Sequence, residues 1–531
     1  MRMPREEREL WEEAMTVELN ELQKKDCFSI EDRTKASDKE IVGLTWVFKR
    51  KCSPSGEITR YKARLCVRGD QQKALYHKND RYAPVVEWST VRLLFFLSVI
   101  HDLPTVSIDF KNAFVQSDLP EPTYTEFPPG YGKGLQDKVL EITRSLYGDK
   151  RAAQLWYDHL AKRLRTLGFV PSPMDACLWL RNDCIFISYV DDGIFLAHDK
   201  AVINECIKGM ESDILDKDNK VMERGLDLEI MSDLSSYLGV QIDRLPDGQL
   251  KLSQPGLTKA TIHCLGLDTA NPKATPASAP LGSAKGDAKF NDEFNYRSAI
   301  GMLMYLGNNT RLDCAFAINQ CARFSADPRV CHGEAAKRIG RYLSSSATEG
   351  FLINPDRSRL NLDCFVDSDF AGLWGYEDDQ DPVSTRSRTG FIVTLGGVPV
   401  TWASKLQTET SLSTMEAEYV ALSTAMRTLI PLRRKLATMC KALNLTVDKK
   451  SLLSTVWEDN QAAQNLATAD PPRLTPKSKH FSIKYHWFRS RLKPGHLEVK
   501  HVPSEENLAD ILTKALSREV FERLRKLIMG W

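Results

Sequence analysis

A short acidic step enclosed by apolar sequence constrains this chain most: Asp191-Asp192-Gly193 stands between Ile185-Phe-Ile-Ser-Tyr-Val190 and Ile194-Phe-Leu-Ala197. The flanking runs read as strands, and Asp-Gly is a strong hairpin signal. Adjacent carboxylates between apolar strands repel each other unless positive charge lies close by. Turn chemistry by itself accounts for Asp191 and Asp192 as turn formers; a cation site is the other reading. Upstream, Thr105-Val-Ser-Ile-Asp-Phe110 alternates, so Val106, Ile108 and Phe110 share one face and Asp109 lies on the other with Ser107. A carboxylate ending a half-buried strand costs desolvation unless it is paired or bound to a cation. Asp109, Asp191 and Asp192 together supply the carboxylates a two-metal site needs, which predicts phosphoryl transfer.

At 531 residues the chain predicts three or four units, taking about 150 residues for each. With 42% apolar and 27% charged residues it is neither collagenous nor wholly disordered. Lys and Arg number 72 against 70 Asp and Glu, so any attraction to nucleic acid must be local. Trp46 to Lys73 is one local candidate, rich in Lys and Arg with only Glu57 and Asp70 opposing; a solvated face is the plainer reading. Twelve cysteines without a CxxC pair make neither a zinc ribbon nor a disulfide framework, and suit a reducing compartment. Met1 to Leu22 is charged throughout and lacks the apolar core of a secretion signal. The longest apolar stretch, around Leu93 to Ile100, falls well short of the roughly 20 residues a membrane span needs. A soluble protein with no membrane partner is expected.

Trp11, Met15, Leu19 and Leu22 are spaced as on an amphipathic helix. Residues 41–115 show short alternating segments broken by Ser53-Pro-Ser-Gly56, which looks like a hairpin tip. Helix is predicted over 150–167, while 201–235, acidic from Asp213 to Asp218, reads as a solvated helical excursion. Asn271 to Asp287, rich in Pro, Ala, Ser and Gly, reads as a linker. Residues 295–345 are mostly helical, with Ile300, Leu303 and Met304 on one face and Ala336, Ile339, Tyr342 and Leu343 on another. From Leu360 the order strand, Gly396-Gly397 hairpin, strand, long helix, strand, helix predicts a separate mixed α/β domain.

That last region holds a second set of acids. Leu362, Cys364 and Val366 alternate against Asp363, Phe365 and Asp367. Ser413-Thr-Met-Glu416 matches a capping box, which occupies Glu416 at a helix start and leaves Glu418 for chemistry. Asp459 follows the apolar run Leu452 to Trp457, and Asp510 lies within Glu506-Asn-Leu-Ala-Asp-Ile-Leu-Thr-Lys514. Singly, each of these acids reads as a cap or a surface group. Arg473 to Lys500 interleaves basic residues with Phe481, Tyr485, Trp487 and Phe488, a combination that suits duplex backbone contact. His480, His486, His496 and His501 have no cysteine beside them, which argues against zinc.

Tyr189-Val-Asp-Asp192 resembles the signature box of reverse transcriptases. Trp46-Val-Phe-Lys49, Arg60-Tyr-Lys-Ala-Arg-Leu65, Ser107-Ile-Asp-Phe-Lys-Asn-Ala-Phe114, Ser145-Leu-Tyr-Gly148, Trp156-Tyr157 and Tyr237-Leu-Gly239 resemble, in order and spacing, the copia-type retrotransposon polymerases. The match runs almost from Met1 to the C-terminus. It implies an α/β (α+β multidomain) fold: a right-hand polymerase with fingers and palm over 1–265, a linker at 266–290, a helical thumb or connection over 291–355, and a ribonuclease H-like domain over 356–531. By this resemblance Asp109, Asp191 and Asp192 bind Mg²⁺, two ions per active site, with Mn²⁺ as the alternative. Lys62 and Arg64 meet the triphosphate. Phe114 falls where such enzymes place an aromatic against the sugar of the incoming nucleotide, favouring deoxynucleotides; a core role is the other reading. Leu238 and Gly239 look like the hairpin that seats the primer end, and equally like a plain hairpin.

Val366-Asp-Ser-Asp-Phe-Ala-Gly372, Ser411-Leu-Ser-Thr-Met-Glu-Ala-Glu-Tyr419 and Leu508-Ala-Asp-Ile-Leu-Thr-Lys514 closely resemble the copia-type ribonuclease H. Asp367, Glu418, Asp459 and Asp510 then match its Asp-Glu-Asp-Asp metal-binding set, which implies hydrolysis of the RNA strand of an RNA–DNA hybrid. Val502 to Asp510 is too short for the His-containing loop of retroviral ribonuclease H domains, so no proton shuttle by that His is expected. The implied partners are an RNA template, a DNA primer, RNA–DNA hybrid and deoxynucleoside triphosphates, with the integrase and capsid products of the same element. The implied setting is cytoplasmic, within virus-like particles, or with a nuclear phase. One box departs from the family: the usual Gly-Leu-Lys-Gln-Ala-Pro is here Gly148-Asp-Lys-Arg-Ala-Ala153, and Asp149 beside a triphosphate would repel it. The departure leaves two other readings open, a catalytically decayed nucleic-acid-binding relic and a chain with ribonuclease H activity only.

Overall fold

The computed structural model describes residues 4–52, 58–73, 76–231, 234–291, 293–357, 361–375, 381–445, 453–469 and 486–531. The chain divides into two compact units, Met1–Val86 with Thr105–Asp233, and Glu87–Pro104 with Leu234–Trp531. These cuts fall elsewhere than the boundaries at 265, 290 and 355 expected from sequence.

The first unit is built on a six-stranded antiparallel sheet, ordered Leu228–Met231, Thr105–Phe110, Asp192–Ala197, Cys184–Tyr189, Asp175–Arg181, Val170–Ser172. Ile108, Phe110, Phe186 and Phe195 from the sheet share a core with Trp156, Leu160 and Leu164 of the helix Ala152–Thr166 and Ile203, Ile207 and Met210 of the helix Lys200–Glu211. The region 201–235 is therefore only partly the helical excursion expected. Leu228–Met231 returns to the sheet as its edge strand beside Thr105–Phe110. Only Leu228 of that strand is buried, so its sequence carries little period-two signal. A separate pair, Leu44–Cys52 and Ile58–Val67, forms an antiparallel ribbon; the expected tip Ser53 to Gly56 lies outside the described residues. The helix Arg5–Lys24 buries Trp11 and Leu22, as its spacing predicts.

The acidic hairpin turns two residues earlier than Asp192-Gly193 suggests. Tyr189 pairs with Asp192 and Ser188 with Gly193, leaving Val190-Asp191 as the turn. Val190 has φ 53, a left-handed conformation costly for a β-branched residue. Its carbonyl accepts from Trp156 Nε1 at 2.6 Å, and the Asp191 carbonyl accepts from Phe110 N at 2.7 Å. Gly193 is needed for space instead: a Cβ there would stand 2.5 Å from the Phe186 ring and 3.1 Å from Ile108 Cγ1.

In the second unit, Trp88–Ile100 is a helix where the sequence suggested short alternating segments. Every residue from Thr90 to Val99 is buried, so no helical period is visible. The Arg92 guanidinium lies 4.1 Å from the Trp402 ring centre and donates to the carbonyls of Val400, Asn308 and Asn309. Lys435, on the helix Thr414–Ala442, reaches Glu87 at 2.6 Å and Thr90 at 2.7 Å.

Asn271 to Asp287 is a strap, not a free linker. Lys273 N donates to Arg341 O at 3.1 Å, Leu281 N to Gln320 Oε1 at 2.7 Å, and Arg338 Nη2 to Thr275 Oγ1 at 3.0 Å. Prolines and small residues spare this backbone regular structure, and the helices Ala315–Ala322 and Val330–Ser344 supply its partners. On the helix Tyr296–Asn309, Ile300 and Leu303 are buried but Met304 is exposed, because the buried face runs through Tyr296, Ala299 and Leu306.

From residue 361 the elements follow the expected order. The five-stranded sheet runs Val398–Leu406, Arg388–Leu395, Leu362–Asp369, Ser454–Glu458, Leu497–His501, with the last two pairings parallel. Gly396 and Gly397, both at positive φ, close its hairpin. No described helix is long and apolar enough to cross a membrane.

Candidate catalytic carboxylate centres

The first centre is set by strand register. Asp192 stands directly opposite Asp109, and Asp191 occupies the adjoining turn. Burial, reinforced by Asp191 and Asp109, pushes the Asp192 carboxyl up to about 6. Glu229, on the edge strand, pairs across from Asp109 on its other side; nothing in its weakly patterned segment singled it out. The three first-centre aspartates are gathered less tightly than the second set. Among the described residues, only Asp367, Glu418 and Asp459 bring one carboxylate oxygen each within 4.8 Å of one another.

Around the first centre, Arg64 sits 4.7 Å over the Tyr147 ring, and Phe114 meets the same ring edge-on at 4.7 Å. Burial lifts the Tyr147 hydroxyl to about 12, so it stays protonated at neutral pH. Phe114 is half-buried, with one side on the core of the sheet. Lys62 lies on the ribbon opposite Lys49. Asp149 does not present a free carboxylate to this region. Its side chain is buried, accepting from Gln72 Nε2 at 2.9 Å and Arg151 N at 2.8 Å, with Arg151 Nε at 3.5 Å. Gln72 is too distant in sequence for that partnership to be foreseen. Leu238 and Gly239 lie in the second unit as the two left-handed residues of a hairpin turn, φ 48 and 72, where the Leu238 carbonyl accepts from Tyr305 Oη.

The second centre gathers at the end of the five-stranded sheet. Asp367 comes from its central strand, and Glu418 from the first turns of the helix Thr414–Ala442. Ser413 Oγ caps that helix at Glu416 N, and Glu416 Oε2 accepts from Leu412 N at 2.9 Å, so Glu416 has the structural task expected of it. Asp510 stands apart from the tight trio: Lys514 lies 2.8 Å from Asp510 Oδ1 and 3.1 Å from Asp367 Oδ1, bridging the two. Burial and then Asp367 raise the Asp510 carboxyl to about 6, against the pull of Lys514. Burial, with Glu458, Asp367 and Asp459 adding to it, holds the Glu418 carboxyl well above its ordinary value. Glu418 Oε2 is buried without a hydrogen-bond partner. An all-carboxylate donor set with an orphaned oxygen fits a hard divalent cation. Sequence reasoning missed Glu458, a fully buried acid beside Asp459. The His486 ring lies between Tyr419 Oη and Arg489 rather than among metal ligands; His480, Phe481 and Tyr485 lie outside the described residues.

Residues 30–279 match the family described as reverse transcriptase (RNA-dependent DNA polymerase). The chain is 31% identical to the retrovirus-related Pol polyprotein from transposon RE2 of Arabidopsis thaliana, over 92% of its own length and 32% of that protein. It is 30% identical to the corresponding polyprotein from transposon TNT 1-94 of Nicotiana tabacum, over 97% of its own length and 37% of the other. The chain thus spans about a third of the length of the curated relatives it matches. Among solved structures it is similar to the foamy viral protease-reverse transcriptase in complex with dsDNA, at 13% identity and a TM-score of 0.46, over 93% of this chain and 83% of that one.

Proposed function

We propose that this chain, whose residues 30–279 match the reverse transcriptase (RNA-dependent DNA polymerase) family, is a two-centre enzyme of the copia type. One centre extends a DNA primer on RNA and DNA templates; the other, a ribonuclease H, removes the copied RNA from RNA–DNA hybrids. The observation that carries this reading is the presence of two separate carboxylate centres in one chain, Asp109 with Asp191 and Asp192, and Asp367 with Glu418 and Asp459.

In the polymerase reaction the primer 3′-oxygen bonds to the α-phosphorus of a deoxynucleoside triphosphate, the α–β phosphoanhydride bond breaks, and pyrophosphate leaves. Mg²⁺ or Mn²⁺, two ions per centre, would supply the charge that acidifies the attacking oxygen and steadies the leaving group. Asp109, Asp191 and Asp192 hold that charge in the first centre; Asp367, Glu418, Asp459 and Asp510 serve the second. Arg64, braced on Tyr147, and Lys62 receive the triphosphate. Phe114, edge-on to the Tyr147 ring, limits space at the sugar. Leu238-Gly239 seats the primer end. Integrase and capsid products of the same element are the proposed protein partners, in cytoplasmic virus-like particles with a nuclear phase. Asp149 gives no support to a decayed relic, since its carboxylate is spent on Gln72 and Arg151.

Extension of a labelled DNA primer on a heteropolymeric RNA template with Mg²⁺ tests the first centre, and cleavage of a labelled RNA–DNA hybrid tests the second. Extension should vanish in Asp191→Asn and cleavage in Glu418→Gln, each variant keeping the other activity. No extension by the unmodified chain, with hybrid binding retained, would sink the polymerase reading.

A further inference from the structure

Gln407 directly follows the strand Val398–Leu406 and is buried. Its Nε2 donates to the Ala417 carbonyl at 2.9 Å and to Thr389 Oγ1 at 3.1 Å, with Ser368 Oγ at 3.3 Å. Its Oε1 accepts from Ser411 Oγ at 3.0 Å, and its backbone N–H donates to the Ser387 carbonyl at 2.8 Å. Ser368, Thr389 and Ser411 are themselves buried. Ser368 directly follows Asp367 and pairs with Thr389 across the sheet. Ala417 directly precedes Glu418 on the helix Thr414–Ala442. One amide thus spans from the position beside the strand acid to the position beside the helix acid. A buried amide bonded at both ends favours one arrangement of its neighbours, because any displacement leaves a polar group unpaired.

We propose that Gln407 is a positioning residue of the second centre, whose amide fixes the spacing of strand and helix and so presets the gap between Asp367 and Glu418 that a divalent cation fills. The inference rests on the nuclease reading and adds to it a residue outside the three motifs that resemble the copia-type ribonuclease H. Asp367, Glu418 and Asp459 bring one oxygen each within 4.8 Å of one another, and with no cation among them like charges so placed push strand and helix apart. Gln407 opposes that spreading with hydrogen bonds that need no cation, so the metal meets ligands already gathered.

Mn²⁺ titration calorimetry of the full chain tests this, in a background carrying Asp109→Asn and Asp192→Asn so that the C-terminal centre alone is observed, together with steady-state cleavage of a labelled RNA–DNA hybrid. Gln407→Met, which keeps length and bulk without a donor, should weaken Mn²⁺ binding about tenfold and lower kcat about tenfold, with KM for the hybrid unchanged. Ser411→Ala removes only the hydroxyl that orients the amide. It should weaken Mn²⁺ binding about threefold, and it stands in if circular dichroism shows the Met variant misfolded. Unchanged Mn²⁺ affinity and kcat in a folded variant, whatever its Tm, would overturn the positioning role and leave the nuclease centre standing. No Mn²⁺ binding and no hybrid cleavage in the background chain itself would overturn the nuclease reading, and the inference with it.

Discussion

Asp109 and Asp192 face each other in register across adjacent antiparallel strands, and Asp191 shares its turn with Val190, held at positive φ. Neither acid could be moved by one residue without passing to the other face of its strand. Like charges so placed lower the cost of binding a cation and raise the cost of leaving it unbound.

The first prediction concerns pH. Asp192 has a folded value of about 6 against an ordinary 3.8, raised by burial, then Asp191, then Asp109. The native state therefore keeps a proton that the unfolded chain gives up. The associated stabilisation is complete below the ordinary value and is lost as pH rises through about 6. Without metal, Asp192→Asn should gain Tm over the unmodified chain at neutral pH, and the gain should fade toward about pH 4. A Tm difference that does not vary with pH would contradict this account.

The strained turn gives a second. Val190 at φ 53 carries about 1–3 kcal/mol of backbone strain, whereas glycine costs about 1 kcal/mol of unfolded-state entropy. Val190→Gly should thus be neutral or stabilising by about 1 kcal/mol in urea denaturation. Gly193→Ala, forced against Phe186 and Ile108, should destabilise by about 1–3 kcal/mol. The reverse ranking of the two variants would place the strain at the wrong residue.

Arg92 supplies a third. Its guanidinium is fully buried, and burial lowers its pKa to about 9. Arg92→Met would leave the carbonyls of Val400, Asn308 and Asn309 without this donor. The expected loss is about 3 kcal/mol, and hydrogen exchange should speed in both Trp88–Ile100 and Val398–Leu406. Exchange confined to one of these elements would mean that Arg92 does not join them.

Lys514 supplies the fourth. It sits between Asp367 and Asp510 and opposes the rise of the Asp510 carboxyl, which stands at about 6. In Lys514→Met that restraint is gone, so the acid limb of hybrid cleavage should move to higher pH while primer extension keeps its profile. An unmoved limb would show that Asp510 does not titrate in the nuclease reaction.

Legibility followed the range of the interactions involved. The alternation of Thr105–Phe110, the apolar runs around the acidic step, the Gly396-Gly397 hairpin and the Ser413 cap are local patterns, and each appears in the structure where its period or turn chemistry placed it. Trp88–Ile100 escaped notice because a helix buried on every side has no polar face to mark its period. The edge strand Leu228–Met231 escaped because one buried residue makes no pattern.

The sequence by itself put Asp109 at the end of one alternating strand and Asp191 and Asp192 between two apolar ones, while Asp367, Glu418, Asp459 and Asp510 form a set only through the resemblance to copia-type ribonuclease H. Only the tertiary structure decided how each acid is used, because charge acts through space and not along the chain. It spends Asp149 on Gln72, divides Lys514 between Asp367 and Asp510, shifts the hairpin turn onto Val190, and seals Glu458 beside Asp459 with one oxygen unpartnered. Each of those outcomes depends on burial and on a neighbour that local spacing does not reveal.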